Sequence, residues 1–460
     1  MSLIISVSGI RGTIGGKESE NLTPLDIVKF TTAYSIWIKK QFTSPKVIIG
    51  RDGRISGKMV SDLIASTLSS MGIDLIDAGL STTPSIEMGV INHNLQGGII
   101  ITASHNPKDW NALKLLNSSG EFLSAEDGQE ILRIKENEEF KYNDVDSLGE
   151  ISTNPNIINE HINSILNLEL VNVEKIKSKK FHITCDVINS TGALAIPLLL
   201  EKLNCTYDII NGEMTGDFAH NPEPLDENLS TLKLATGHKA TLGIAVDPDV
   251  DRLALVDEKG IYFGEEYTLV AISDYVLSKK PSATVSNLSS SRALKDLSEY
   301  YGQNYFASAV GEAHVVKKMK EVGANIGGEG NGGIIYPELH YGRDSLVGIA
   351  LLLSYLAESN QSLSGLKAKY SKYEMFKDKI ILDPKLNYIK LVEFLVAEYA
   401  EDKITTIDGL KIDKANAWVH LRKSNTEPII RIYSEANTML EASNLVLEIK
   451  SKVNQFMVNG

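Results

Sequence analysis

Residues 45–104 read PKVIIGRDGRISGKMVSDLIASTLSSMGIDLIDAGLSTTPSIEMGVINHNLQGGIIITAS. Three short apolar runs, PKVIIG (45–50), IDLIDAG (73–79) and GGIIITAS (97–104), alternate with two stretches of helical period, GKMVSDLIASTLSSMG (57–72) and PSIEMGVINHN (84–94). This strand–helix–strand–helix–strand rhythm predicts a parallel sheet joined by right-handed crossovers. The third run ends on Ser104, and His105, Asn106 and Pro107 follow at once. A buried strand thus delivers a serine to a polar, proline-stopped loop.

The rhythm returns twice. KFHITCDVIN (180–189), TGALAIPLLLEKLN (191–204) and ATLGIAVDPDVD (240–251) read as strand, helix and a strand that runs into a loop. SATVSNLSSSRALKDLSEYYG (282–302), MKEVGANIGGEGNGG (319–333) and SLVGIALLLSYLAES (345–359) repeat the pattern without repeating the sequence. A polar, acidic stretch at 126–156 marks a first boundary, and a second falls near 256–262, after an aspartate-rich loop. From SKYEMFKDKIILD (371–383) onward the chain reads strand, polar loop, strand, helix, an α+β pattern. The domains expected are therefore 1–154, 155–255, 256–370 and 371–460, each near the usual domain size.

Composition bounds the function. The chain has 460 residues, 43% of them hydrophobic and 23% charged, enough apolar material for several cores. A net charge of −13 repels nucleic acid unless a local patch reverses it. Small phosphate-bearing molecules stay open, because a pocket needs only a few placed cations. Two cysteines, Cys185 and Cys205, make neither a disulfide framework nor a zinc cluster, so a reducing cytoplasm is the default location. The opening MSLIISVSGIRG lacks a basic n-region, and no window approaches 18 uncharged apolar residues.

Several loops carry chemistry. In VDPDVDRLALVD (246–257), Asp247, Asp249 and Asp251 alternate directly after an apolar strand. Carboxylates so close repel one another unless a cation sits among them, and such hard oxygens suit magnesium or calcium. Their spacing also fits an EF-hand, but Arg252 stands where that loop needs glycine, and RLALVD reads as a strand. Arg252 fits better as a cation facing a bound phosphate. In IGGEGNGGIIYPELHYGRD (326–344), Gly328, Gly330 and Gly333 match a dinucleotide fingerprint by spacing alone, since no helical period follows. A glycine-rich hairpin offering Glu329 and Asn331 to sugar hydroxyls is the alternative, and a plain turn the bland one. RKSNTEPIIRIY (422–433) sets Arg422, Ser424, Asn425 and Thr426 ahead of Pro428 and Arg431, the donors a phosphate cradle requires. Arg11 in SGIRGTIGG, and Arg51 and Arg54 in GRDGRISG, anchor an anion or pair with carboxylates. Ser290 and Ser291 in NLSSSRAL read as helix caps. No nucleophile elbow surrounds Ser104. A phosphoryl group on Ser104 would instead complete a metal site with the three aspartates, with Lys114 moving a proton or countering charge.

TASHNP with Asn111 and Lys114, DPDVDR, GEGNGG and RKSNTEPIIRIYSEA, in that order, resemble the four site loops of the α-D-phosphohexomutase family. SGIRG, GRDGRISG, HNPEPLDENL (220–229) and DGLKI (408–412) extend the resemblance over the whole chain. It implies an α/β fold: three similar α/β domains with mixed sheets and a C-terminal α+β domain around a central cleft. It also implies a phosphoserine at Ser104, Mg2+ held by Ser104, Asp247, Asp249 and Asp251, and a cytoplasmic monomer or homodimer that binds neither nucleic acid nor membrane. The phosphoserine would pass its group to a hexose phosphate, and the bisphosphate would turn over and return the other phosphate; hexose 1,6-bisphosphate would serve as activator. Arg11, His105, Lys114 and Arg252 join Ser104 in the expected catalytic set. Glu329, Asn331, Arg422, Ser424, Asn425, Thr426 and Arg431 form the expected substrate set.

Three departures stand out. Asp-Gly-Asp becomes Asp247-Pro248-Asp249, Asn-Gly becomes Asn111-Ala112, and a sugar loop of the form Glu-x-Ser-Gly-His becomes Glu329-Gly330-Asn331-Gly332-Gly333. The serine and histidine of that loop are missing, and only His340 and His314 are near in sequence. GEGNGG with SGIRGTIGG and HYGRD resembles a branch often labelled phosphoglucosamine mutase. That branch implies conversion of glucosamine 6-phosphate to glucosamine 1-phosphate. The alternatives are phosphomannomutase or phosphoglucomutase activity, or a non-catalytic sugar-phosphate-binding protein on this fold.

Overall fold

The computed structural model of the chain describes residues 2–6, 9–237, 239–382, 386–424 and 429–459. The strands Lys46–Arg51, Asp74–Leu80 and Gly97–Ile101 are parallel neighbours, with Lys46–Arg51 between the other two. Gly97–Ile101 is buried along its whole length, as a strand covered on both faces must be. After it the chain returns antiparallel as Trp110–Leu116, because the loop between is shorter than the dozen or so residues a parallel crossover needs. Gly9–Thr13, Ile4–Ser6 and Ile151–Thr153 complete a seven-stranded sheet.

The next two sheets repeat this core. In the second, His182–Asp186 lies between Thr206–Ile210 and Leu242–Val246, both parallel to it, and Leu253–Val256 returns antiparallel. In the third, Thr284–Asn287 lies between Tyr305–Ser308 and Ile326–Glu329, and Gly333–Ile335 returns antiparallel. The spatial order is second, first, third, fourth in every case. Beyond each fourth strand sits an isolated antiparallel bridge: Leu116 with Phe122, Val256 with Tyr262, Ile335 with Arg343. The strand rhythm accounts for the parallel pairs; the returning strand, at the same place in all three units, makes the sheets mixed, as expected. The serine, aspartate and glycine loops all join third strand to fourth. The C-terminal unit differs: five antiparallel strands in the order Glu374–Ile381, Ile429–Ala436, Trp418–Lys423, Leu410–Asp413, Lys403–Thr405, packed against helices Tyr388–Glu398 and Met439–Asn459. Cys185 and Cys205 are both free and buried. Among the described residues no helix is long and apolar enough to cross a membrane.

A buried polar cluster ties the first three units together. Asp344 caps the apolar helix Ser345–Ser359, its Oδ1 accepting from the Leu346 and Val347 amides at 2.8 and 3.3 Å. Its Oδ2 lies 3.0 Å from His161 Nε2 and 3.4 Å from His340 Nε2. His340 Nδ1 is 3.3 Å from Glu87 Oε2, and His161 Nδ1 is 3.0 Å from Ser85 Oγ. Burial works against charge on His340, but Asp344 and Glu87 outweigh it and push its pKa up to about 10. Burial pushes the Glu87 carboxyl up to about 8. Both groups hold protons more tightly folded than unfolded, where histidine titrates near about 6.5 and glutamate near about 4.3. Stability from Glu87 and His340 is therefore fully present below their unfolded values and lost as pH rises, through Glu87 up to about 8 and through His340 up to about 10. Asp344, whose pKa is lowered, contributes above its unfolded value and loses that contribution only in acid. The urea midpoint of the wild-type chain should fall steadily from pH 6 to pH 10, and His340→Gln should flatten the upper half of that decline; an unchanged slope in the variant would count against the assignment.

Candidate active site

The serine loop is built around one arginine. Arg54 is 1% exposed and spends all five donors. Nε reaches Asp52 Oδ2 at 3.1 Å, Nη1 reaches the carbonyls of Pro107 and Trp110 at 2.6 and 2.9 Å, and Nη2 reaches those of Ser104 and Asn106 at 2.5 and 2.7 Å. Of the two roles open to Arg54 in the sequence, pairing is the one observed: it is a scaffold for the loop. Asp52 Oδ2 also accepts from Thr102 Oγ1 at 2.6 Å, and that hydroxyl in turn accepts from the Ser104 amide at 2.9 Å. Ser104 is thereby held at φ +47°, a left-handed conformation that costs a non-glycine residue about 1–2 kcal/mol.

Facing it are the three aspartates, each fully buried. Pro248 takes the second position of a turn closed by the Val250 amide on the Asp247 carbonyl at 3.1 Å, a place that suits its fixed φ. The hydroxyls of Ser190 and Thr191 hold the Pro248 carbonyl at 2.6 and 2.9 Å. Ala112 lies in regular strand opposite Arg11, so the exchange of glycine for alanine there meets no need for positive φ. Ser104 Oγ donates to Asp247 Oδ2 at 2.6 Å. Lys114 Nζ lies 2.7 Å from Asp249 Oδ2 and 3.4 Å from Asp251 Oδ2, and Thr83 Oγ1 donates to Asp249 Oδ2 at 2.6 Å. Burial, then Asp251 and Asp249, push the Asp247 pKa well above the carboxylate range. Burial also opposes the charges on Asp249 and Lys114, but each outweighs it for the other: Asp249 is lowered and Lys114 raised. One oxygen of each triad member lies within 4.8 Å of the other two, and Asp249 Oδ1 and Asp251 Oδ1 are buried without a hydrogen-bond partner. Hard oxygens, close together and unsatisfied, fit a divalent cation.

Cations gather beside the triad. The Arg11 pKa is lowered by burial and then by the charges of Arg252, Arg343 and Arg431, which brings arginines from all four units within electrostatic reach of one another. His105 Nδ1 lies 3.3 Å from Ser104 Oγ. Burial, then Arg252, Arg343 and Arg11, hold its pKa well below the usual histidine value, so the ring is neutral. Arg252 pairs with Glu223 at 3.0 Å and keeps a buried, unpartnered Nε.

The glycine stretch is a hairpin between Ile326–Glu329 and Gly333–Ile335, and no helix follows it directly, so the dinucleotide fingerprint is a coincidence of spacing. Glu329 Oε1 accepts from Asn287 Nδ2 at 2.9 Å and from the Gly311 amide at 3.1 Å. Asn331 Oδ1 turns back onto the Gly333 amide at 3.2 Å. Ser290, which the sequence suggests as a helix cap, instead accepts from the Gly330 amide at 3.1 Å and supports the hairpin; Ser291 accepts locally from Ala293. His340 is engaged by Glu87 and Asp344, and His314 is exposed at the start of helix Glu312–Val322. In the C-terminal unit Arg422 and Arg431 oppose each other on adjacent strands, and the Ser424 amide donates to the Ile429 carbonyl at 2.9 Å. Asn425 and Thr426 lie outside the described residues.

Sequence reasoning missed Thr83, Glu312 and Arg343. Thr83 gives no signal beyond its place before Pro84. Arg343 stands in the HYGRD stretch, where its neighbours suggest a branch but no role. Replacing Arg54 by lysine, which cannot span five acceptors, should lower stability by about 3 kcal/mol in urea unfolding. A loss under about 0.5 kcal/mol, the size of an ordinary surface change, would overturn the scaffold role.

Comparison with known proteins follows the same loops. Four family descriptions match in order: Phosphoglucomutase/phosphomannomutase alpha/beta/alpha domain I over residues 3–142, domain II over 159–260, domain III over 264–373, and the C-terminal domain over 384–452. A phosphoglucomutase/phosphomannomutase of Thermococcus kodakarensis is 34% identical over 466 residues, covering 100% of both chains. A phosphoglucosamine/phosphogalactosamine mutase of Sulfurisphaera tokodaii is 33% identical, covering 98% of this chain and 99% of its own. The crystal structure of a phosphoglucomutase/phosphomannomutase family protein from Burkholderia thailandensis shares the fold with a TM-score of 0.83 at 22% identity, covering 98% of each chain. A match that runs end to end and takes in all four site loops makes this chain a member of the phosphoglucomutase/phosphomannomutase family, the α-D-phosphohexomutases.

Proposed function

We propose that the chain is a magnesium-dependent mutase that carries a phosphoryl group on Ser104 and interconverts glucosamine 6-phosphate and glucosamine 1-phosphate. The contact of Ser104 Oγ with Asp247 Oδ2 at 2.6 Å, beside the unpartnered oxygens of Asp249 and Asp251, carries this reading. Asp247, Asp249 and Asp251, with Ser104 or its phosphate, would hold the metal. Bound there, it would supply neutralisation of the transferring phosphoryl oxygens. The bond from phosphorus to Ser104 Oγ breaks as the sugar hydroxyl forms its own bond to phosphorus. The hydroxyl proton passes to neutral His105, while Lys114 stays protonated and balances charge. Glu329 and Asn331 take the sugar hydroxyls, and Arg11 and Arg252 face the phosphoryl group. Arg422, Ser424, Asn425, Thr426 and Arg431 grip the phosphate that does not react. The bisphosphate then turns over and returns its other phosphate to Ser104; added hexose 1,6-bisphosphate would load an empty serine.

The choice of glucosamine rests on the GEGNGG and HYGRD stretches and on the printed name of the Sulfurisphaera relative. The Thermococcus relative's name favours glucose or mannose phosphates as the second reading. Specificity constants measured side by side for glucosamine, glucose and mannose 6-phosphates, with magnesium and bisphosphate present, decide between them, and a preference for glucosamine is expected. Ser104→Ala should lose turnover by more than about 10⁴-fold, as when a covalent nucleophile is removed, with an unchanged circular dichroism spectrum. Chelation of divalent metal should abolish turnover and restoration of magnesium should recover it. An alanine variant that still turns over hexose phosphates at the wild-type rate would end the phosphoserine reading.

A further inference from the structure

Gly333 stands where the loop form Glu-x-Ser-Gly-His, set beside this chain above, ends on histidine. The space is not empty. A Cβ built on Gly333 would lie 2.3 Å from Cδ and 3.0 Å from Cγ of Arg343. The stem of Arg343 therefore occupies the volume into which any side chain at 333 would grow. Its head is 8% exposed with the residue as a whole and touches three carboxylates. Nη2 lies 2.7 Å from Asp251 Oδ2, Nε 2.8 Å from Glu312 Oε2, and Nη1 3.3 Å from Glu329 Oε2. The topological repeat makes the placement more pointed. Phe122 and Tyr262 hold the equivalent bridge position in the first two units, and only the third has a cation there.

We infer that Arg343 takes the place of the missing histidine as a positioning residue, joining the sugar-loop carboxylate Glu329 to the metal-loop carboxylate Asp251. The inference rests on the mutase reading above and adds a residue to it. A guanidinium can hold two or three carboxylates at fixed angles, which an ammonium cannot. It also keeps its charge at every working pH, whereas histidine titrates near neutrality. Glycine at 333 and arginine at 343 are then one device: the arginine fits only because the glycine has no side chain.

Four variants test this: Arg343→Ala, Arg343→Lys, Gly333→His, and the double change Gly333→His with Arg343→Ala. Steady-state kinetics, pH profiles and thermal melts are read for each. Arg343→Ala should raise KM for the preferred hexose 6-phosphate and lower kcat/KM at least about 30-fold, the size expected when one partner of a buried charge pair is removed. Arg343→Lys should keep the wild-type melting temperature yet recover less than a tenth of that loss. Gly333→His alone should be as impaired as Arg343→Ala, because its side chain meets the arginine stem. The double variant should regain at least about fivefold over Arg343→Ala and show an ionisation near pH 6.5 that the wild type lacks. A purely structural role would restore full kinetics in Arg343→Lys along with the melting temperature, which would overturn the proposal. So would a double variant no better than Arg343→Ala. A wild-type chain that turns over no hexose phosphate would instead remove the mutase reading, and this inference with it.

Discussion

Buried negative charge is the constraint on which the rest of the molecule depends. Asp247, Asp249 and Asp251 are each fully excluded from water on a single turn of chain. At about 4 Å and an effective dielectric near 20, two like charges repel by roughly 4 kcal/mol, more than most single contacts contribute. The second unit compensates in part, through the charge of Arg252 and the Asp251 and Arg252 amides, which donate to Asp247 Oδ1 at 3.1 Å each; the rest comes from outside it. Lys114 comes from the first sheet, Arg343 from the third, and the hydroxyls of Ser104 and Thr83 from the first again. Joining the three units therefore does what no unit does alone. The acidic loop is stable when the cleft is assembled, and the assembled cleft is the site.

The repeated topology explains how three unrelated loops meet. Each unit places its site loop between a central parallel strand and the strand that returns beside it. Such a loop leaves the sheet at the carboxyl end, where crevices form in open α/β sheets. Three such loops bring a hydroxyl, three carboxylates and a glycine hairpin together without any loop growing long. The C-terminal unit follows a different plan, with arginines displayed on an antiparallel hairpin. It meets the third sheet through polar contacts, among them Lys411 with the Leu288 carbonyl at 2.8 Å and the Val310 amide with Asp408 at 3.0 Å. Contacts of that kind exchange with water more readily than apolar burial does.

Much of this was legible from residue pattern. Alternating apolar runs and helical periods gave the three α/β units, and the residue types in the loops gave hydroxyl, metal and phosphate chemistry. Legibility stopped where a partner is chosen in three dimensions. The sequence around Arg54 allowed an anion anchor or an ion pair, and only the path of residues 104–110 around its guanidinium decides. Ser290 reads as a cap because serine before a helix usually is one; the approach of the 328–333 hairpin claims its hydroxyl instead. His340 is near the sugar loop in sequence, yet Glu87 of helix Thr83–Asn92 and Asp344, the cap of helix Ser345–Ser359, lie beside its two nitrogens. RLALVD reads as a strand in the sequence, but the direction of each fourth strand was hidden for a different reason. Periodicity reports burial, and a strand buried on both faces looks alike in either direction.

The arrangement of cations bears on how one site handles a doubly charged ligand. The chain carries a net charge of −13, yet Arg11, Arg252, Arg343 and Arg431 stand close enough to depress the pKa of one among them. Like charges this close in low dielectric disfavour one another at Arg11, and an anion placed among them would relieve that repulsion there. Burial first, and then the same field, keep His105 neutral beside Ser104, because a further proton would be poorly solvated and would add to the repulsion. In the proposed mutase, phosphate capture and a proton-free His105 would both draw on this charge distribution. Weakening the arginine cluster would remove one of the two causes that keep His105 neutral and leave burial as the other, so burial and charge together set the protonation of the group beside Ser104.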